Sequence, residues 1–174
     1  MGNGERLNAL EVALNNETRE RDFYLRNAAR TNNPVGKAMF ERIAEDEAEH
    51  YERLKRLHEE WTAQGRWPET VPLTVKQTNV RDILLNTLKG VGKAEASDAD
   101  DREAVRTAAE FEEKGVVFYK NLAASSTDER EKAFFELLSS IEYEHYLSLR
   151  DAEEYFDNPA AWFVKTEHPT LDGG

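Results

Sequence analysis

Two stretches of the 174-residue chain carry the same uncommon combination, Glu47-Ala48-Glu49-His50 and Glu142-Tyr143-Glu144-His145. Each is set inside an apolar stripe. One stripe reads Phe40, Ile43, Glu47, His50, Leu54, Leu57 and Trp61; the other reads Phe135, Leu138, Glu142, His145, Leu149, Ala152 and Phe156. Alternating steps of three and four place all seven residues on one helix face turned toward a core. Glu and His three apart share that face. A helix that carries an acid and an imidazole into an apolar interior must also bring something to satisfy them, because a buried charge without a partner is very costly.

The two stretches are copies. A shift of 95 residues lays 11–54 on 106–149 without a gap and gives 15 identities over 44 positions. Glu17 falls on Glu112, Phe23-Tyr24 on Phe118-Tyr119, Ala28-Ala29 on Ala123-Ala124, and Phe40-Glu41 on Phe135-Glu136. Glu47, Glu49, His50 and Tyr51 fall on Glu142, Glu144, His145 and Tyr146. Generic helical similarity would align apolar classes, not acids and histidines at matched core positions. The period is too long for a solenoid, so the unit repeated is a helical hairpin.

Chain breakers mark its limits. Asn32-Asn33-Pro34 interrupts a helical pattern, since the residue before proline avoids the α region and proline suits the first turn of a new helix. A longer break, about 64–101, holds Gly65, Pro68, Pro72, Gly90 and Gly92. Ser125-Ser126-Thr127-Asp128 is the third, with Asp128 and Glu131 at capping-box spacing. Asp157-Asn158-Pro159 is the last. Four segments rich in helix formers remain, about 4–32, 35–63, 101–125 and 129–156. The short breaks predict antiparallel neighbours, and the long one a crossover with a short helix near 80–89. The expected fold is all-α: a four-helix bundle over 1–156 made of two duplicated hairpins, followed by a tail over 157–174.

Composition removes several functions. There is no cysteine, which excludes thiolate nucleophiles, zinc–cysteine sites and iron–sulfur centres. A formal charge of −12, from 35 acidic and 23 basic side chains, argues against nonspecific nucleic-acid binding. No apolar run approaches the roughly 18–20 residues of a membrane span, and the first residues lack the apolar core of a signal peptide. A cytoplasmic protein that binds neither nucleic acid nor membrane is expected.

The first and third segments each send one more acid inward. Glu17 is in register with Ala13, Tyr24 and Ala28, and Glu112 with Ala108, Tyr119 and Ala123. Four carboxylates and two imidazoles then converge. Two divalent cations would balance four negative charges, and a donor set of oxygen and imidazole suits iron or manganese. One Glu from each of two helices plus one Glu-x-x-His from each of the others is the ligand plan of bundle di-iron and di-manganese carboxylate proteins. The competing reading, acids salt-bridged at the surface of slightly rotated helices, does not explain why all four recur in register. Tyr24 and Tyr119 are either core aromatics or hydrogen-bond donors to a ligating carboxylate.

Read as Glu17-x6-Tyr24-x22-Glu47-x2-His50 and its copy Glu112-x6-Tyr119-x22-Glu142-x2-His145, the sequence resembles the rubrerythrin branch of the ferritin-like superfamily over most of residues 5–156. The segment Pro159-Ala160-Ala161-Trp162-Phe163 also resembles the tails of such proteins. The resemblance implies two iron ions per chain reacting with hydrogen peroxide or dioxygen. Glu47 and Glu142 would bridge them; Glu17 with His50 and Glu112 with His145 would be terminal. It implies a peroxidase, and a homodimer. A ferroxidase that handles iron and a dimanganese catalase-like enzyme are the alternatives, and a non-catalytic helical module is the plainest one. Two departures matter. Many rubrerythrins carry a rubredoxin domain, which a chain without cysteine does not contain, so the reductant would be a separate protein such as a rubredoxin. Family members also have a glutamate three residues after the third-helix ligand, where this chain has Gly115. The repeat mate of Gly115 is Glu20, so the extra carboxylate has changed halves. Glu20 is therefore expected as a seventh ligand, competing with His145 for the metal held by Glu112, with Glu20, Tyr24 and Tyr119 as the catalytic groups around the pair.

Overall fold

The computed structural model describes residues 3–65 and 99–162; the crossover, including the helix expected near 80–89, and residues 163–174 lie outside the described residues. Four helices account for almost all of what is described: α1 (Asn3–Arg30), α2 (Pro34–Gln64), α3 (Ala99–Ser125) and α4 (Glu129–Asp157). α1 packs along α2 and α3 along α4, while α1 meets α3 over a narrower contact. This is a ferritin-like four-helix bundle built from paired hairpins.

Local chemistry sets the helix ends where the breakers lie. Asn33 caps α2, its side-chain oxygen accepting from the backbone N–H of Val35 (3.0 Å) and Gly36 (3.1 Å), with Pro34 in the first turn. α2 stops at Gly65, whose φ of 64° is left-handed and suits a residue without Cβ. Asp128 caps α4 through the N–H groups of Arg130 and Glu131. Glu131 does not complete the capping box in the usual way. It is fully buried and takes both arms of the Arg6 guanidinium, which lies over the Trp61 ring. A bidentate charged partner outcompetes one backbone N–H for a carboxylate out of water. At another corner Asp101, also buried, accepts from Arg30 and from the Thr31 hydroxyl, each at 2.9 Å.

The core comes in two apolar clusters. One holds Tyr24, Ala28, Phe40, Ala108 and Leu149; the other holds Tyr119, Ala123, Phe135, Ala13 and Leu54. Those residues are repeat mates taken in the same order, so the internal duplication exchanges one cluster for the other. The polar residues of the two stripes belong to neither cluster. The tail expected from 157 begins with a helical turn that returns Trp162 to the core, edge-on to Tyr155, with its indole N–H on Asp151 at 3.1 Å. None of the described helices is long and apolar enough to cross a membrane.

Candidate metal centre

Each helix delivers the donors its stripe carries: Glu17 from α1, Glu47 and His50 from α2, Glu112 from α3, Glu142 and His145 from α4. All six are at most 1% exposed. They form two overlapping groups. Glu17, Glu47, His50 and Glu142 can each bring one donor atom within 4.8 Å of the others, and so can Glu47, Glu112, Glu142 and His145. Glu47 and Glu142 belong to both. Glu47 turns one oxygen to each imidazole: Oε2 lies 3.1 Å from His50 Nδ1, and Oε1 lies 3.3 Å from His145 Nδ1. Glu17 Oε2 is 3.1 Å from His50 Nδ1, and Glu112 Oε2 is 3.5 Å from His145 Nδ1. The imidazole planes are 22° apart with centroids 6.0 Å apart.

The outer side of the cluster is tied down. Tyr24 donates its hydroxyl proton to Glu112, and Tyr119 donates to Glu17. Each tyrosine thus crosses from one repeat to the terminal carboxylate of the other. Burial, then the nearby carboxylates, drives both phenols well above their ordinary range, so they stay protonated and keep donating. Of the two readings open for these tyrosines, the hydrogen-bonding one describes their geometry, and both also pack in the core.

The inner side is a different matter. Among the described residues, Glu47 Oε1, Glu112 Oε2, both oxygens of Glu142 and His145 Nδ1 are buried without a hydrogen-bond partner. Buried polar atoms are nearly always satisfied, and a convergent set left bare asks for a cation. Burial, opposed by His50 and reinforced by Glu47, leaves Glu17 raised to about 7. Glu142 is raised well above the usual carboxylate range by burial and by the charges of Glu47 and Glu112. For the imidazoles burial acts downward, yet Glu47 and Glu17 carry His50 up to about 10, and Glu112 with Asp46 raises His145. Burial acts upward on Glu47, but His50 and His145 overcome it and hold this carboxyl below its ordinary value. Protons thus do the neutralising that cations would otherwise do, and the donor set fits divalent ions that prefer oxygen and imidazole.

Glu20 stands at the edge. Its carboxylate is in neither donor group, but it is close enough to feel the cluster. Burial and then Glu47, Glu112 and Glu17 raise it well above the ordinary range, against a lowering by His145. Among the described residues no arginine forms an ion pair with it. Glu20 lines a cavity of about 570 Å³ with Gly115, Phe23, Phe111 and Phe118. Gly115 is the thin part of its wall. A Cβ there would lie 3.3 Å from Glu142 Cγ and 3.4 Å from Glu142 Oε2, so no side chain screens Glu142 at that point.

One participant is not on the apolar stripe. Asp46, 5% exposed, sets Oδ2 3.3 Å from His145 Nε2 and takes Arg42 on its other oxygen at 2.9 Å. The signal available in the sequence was its repeat mate, Ile141: an isoleucine at the matching position marks a buried place. Against models of known families, residues 8–153 match the one described as Rubrerythrin. Comparisons with curated proteins and with solved structures find no match.

Proposed function

Because the chain belongs to the rubrerythrin family, we propose that its buried cluster holds two iron ions and that the protein reduces hydrogen peroxide with electrons from a separate donor protein. The observation that carries this is the pair of overlapping donor groups sharing Glu47 and Glu142, with their inward oxygens bare. Glu17 and His50 would complete one position, Glu112 and His145 the other. Bound ferrous iron supplies the two electrons that an O–O bond needs to break, one per metal.

The chain's own groups do the rest. Tyr24 and Tyr119 hold Glu112 and Glu17 in place by hydrogen bonds, which keeps the terminal donors aimed inward as charge changes. The cavity beside Glu20 and Gly115 gives a small oxidant an approach to Glu142. Glu20 lines that cavity beside the cluster and, held toward its protonated form, would carry a proton between the two; to act as a seventh donor it would have to turn inward from the edge where it stands. With no cysteine in these 174 residues, no cysteine-ligated redox centre feeds the site from within them.

The test is metal analysis of protein purified without added metal, followed by oxidation of the anaerobic ferrous form. Two irons per chain, oxidised faster by peroxide than by dioxygen, are expected. Retention of many more irons per chain would replace this reading with iron storage, two manganese ions with a catalase-like one, and no bound metal would end it.

A further inference from the structure

The internal duplication makes the two cation positions equivalent in every donor: Glu17 matches Glu112, His50 matches His145, and Glu47 exchanges with Glu142. The surroundings of the two histidines are not equivalent. Both turn Nδ1 inward and Nε2 outward. His145 Nε2 meets the Asp46 carboxylate at 3.3 Å. Asp46 is fixed in turn by Arg42 at 2.9 Å. His50 Nε2 is buried and has no hydrogen-bond partner among the described residues. The residue at the position matching Asp46 is Ile141, buried and without an acceptor in its side chain.

We infer that the two metal positions are unequal: the Glu112–His145 position is the tighter and fills first, because Asp46 anchors its histidine while nothing equivalent among the described residues anchors His50. A carboxylate on Nε2 keeps the proton on that nitrogen. Nδ1 is then left as the bare, more basic donor, in a ring that cannot swing. His50 has no such constraint, so ordering its ring and tautomer is a cost that the incoming ion meets. Outer hydrogen bonds of this kind change metal affinity by about 10–100-fold, which is the expected separation between the two binding steps. Arg42 contributes by holding the Asp46 carboxylate in its orientation. The inference depends on the cluster being a metal site, and Asp46 is a positioning residue in it.

The test uses the full chain stripped of metal by a chelator and titrated without oxygen with Co(II), whose visible bands report each binding step. Two steps about 10–100-fold apart are expected. Crystals soaked in limiting Mn(II) should show anomalous signal first beside His145. Asp46→Asn keeps shape and removes the charge; it should weaken the tight step about tenfold or more and leave the weak step in place. Circular dichroism of that variant confirms that the fold is retained, and Arg42→Gln, at a partly exposed position, should shift the same step by less. Equal steps, first occupancy beside His50, or an unchanged split in Asp46→Asn would overturn the inference while leaving the di-metal function intact. A chain that takes up no metal in either measurement overturns both.

Discussion

Removing the metal should cost this protein stability by an amount that grows with pH. Without cations the cluster is neutralised by protons, and the sign follows from each group. Glu17, raised from 4.5 to about 7, stabilises the metal-free fold fully below 4.5 and loses that contribution as pH rises through about 7. His50, raised from 6.5 to about 10, contributes fully below 6.5 and loses it as pH rises through about 10. Metal-free protein should therefore lose stability from these groups on going from about pH 5 to about pH 8. Bound ions reverse the trend, since they replace the same protons. An ion at about 100 times its dissociation constant adds about 2.7 kcal/mol, so two sites add about 5.4 kcal/mol. At about 2–4 °C per kcal/mol for a chain of this size, the melting temperature should rise by about 11–22 °C. Each proton displaced adds about 1.4 kcal/mol per pH unit to that gap over the range in which it titrates. The assay is thermal unfolding by far-ultraviolet circular dichroism, with chelator against excess Mn(II), at several pH values. A gap that is absent, or that does not widen toward alkaline pH, would refute the assignment of these protons to the place of the cations. Glu47→Gln, which removes a donor common to both groups, should close most of the gap.

Tyr24→Phe leaves Glu112 without its hydroxyl donor; metal affinity measured by chelator competition should fall about 10–100-fold with little change in helicity. Arg6→Met strands the buried Glu131 carboxylate and should cost about 3–5 kcal/mol in denaturant unfolding, while Arg6→Met combined with Glu131→Leu should recover most of it. Glu20→Ala should lower metal stoichiometry or the peroxide rate. If both stay at the parent values, Glu20 is neither a ligand nor a proton carrier.

The convergence of six buried acids and imidazoles was legible because duplication supplied what a single sequence otherwise lacks, a second sample of the same structural problem. A lone Glu-x-x-His is common, but Glu17, Glu47, His50 and their copies recur in register with the apolar stripe, which fixes both their identity and their direction. The helix ends were legible for a local reason: Asn33, Pro34, Gly65 and Asp128 act on the backbone beside them. What the pattern did not reveal were contacts between elements distant in sequence. Asp46 lies about 100° around the helix from Glu47, so the stripe assigns it to the flank. Only the placement of α4 against that flank buries it and brings it to His145. Glu131 has capping spacing, and nothing near it in sequence tells that Arg6, 125 residues earlier, will claim it.

The places where the copies disagree are therefore the informative ones, because the duplicated scaffold would tolerate agreement. Asp46 stands opposite Ile141, Glu20 opposite Gly115, and both differences bear on the same part of the cluster. Asp46 binds the outer nitrogen of His145, and the charge of His145 is among the influences on Glu20, together with Glu47, Glu112 and Glu17. Their effects oppose each other there. The hydrogen bond that His145 Nε2 donates to Asp46 resists release of His145, whereas an added carboxylate at Glu20 would compete with it for the same ion. A symmetric pair of hairpins would have no reason to favour exchange at one metal over the other. Among the described residues this chain sets an acid against the outer nitrogen of His145 and none against that of His50, so under the proposed function a change of ligand at that metal would work against the Asp46–His145 bond. Combining Asp46→Asn with Glu20→Gln separates the two influences: the first should loosen His145, and the second should remove the group that would take its place.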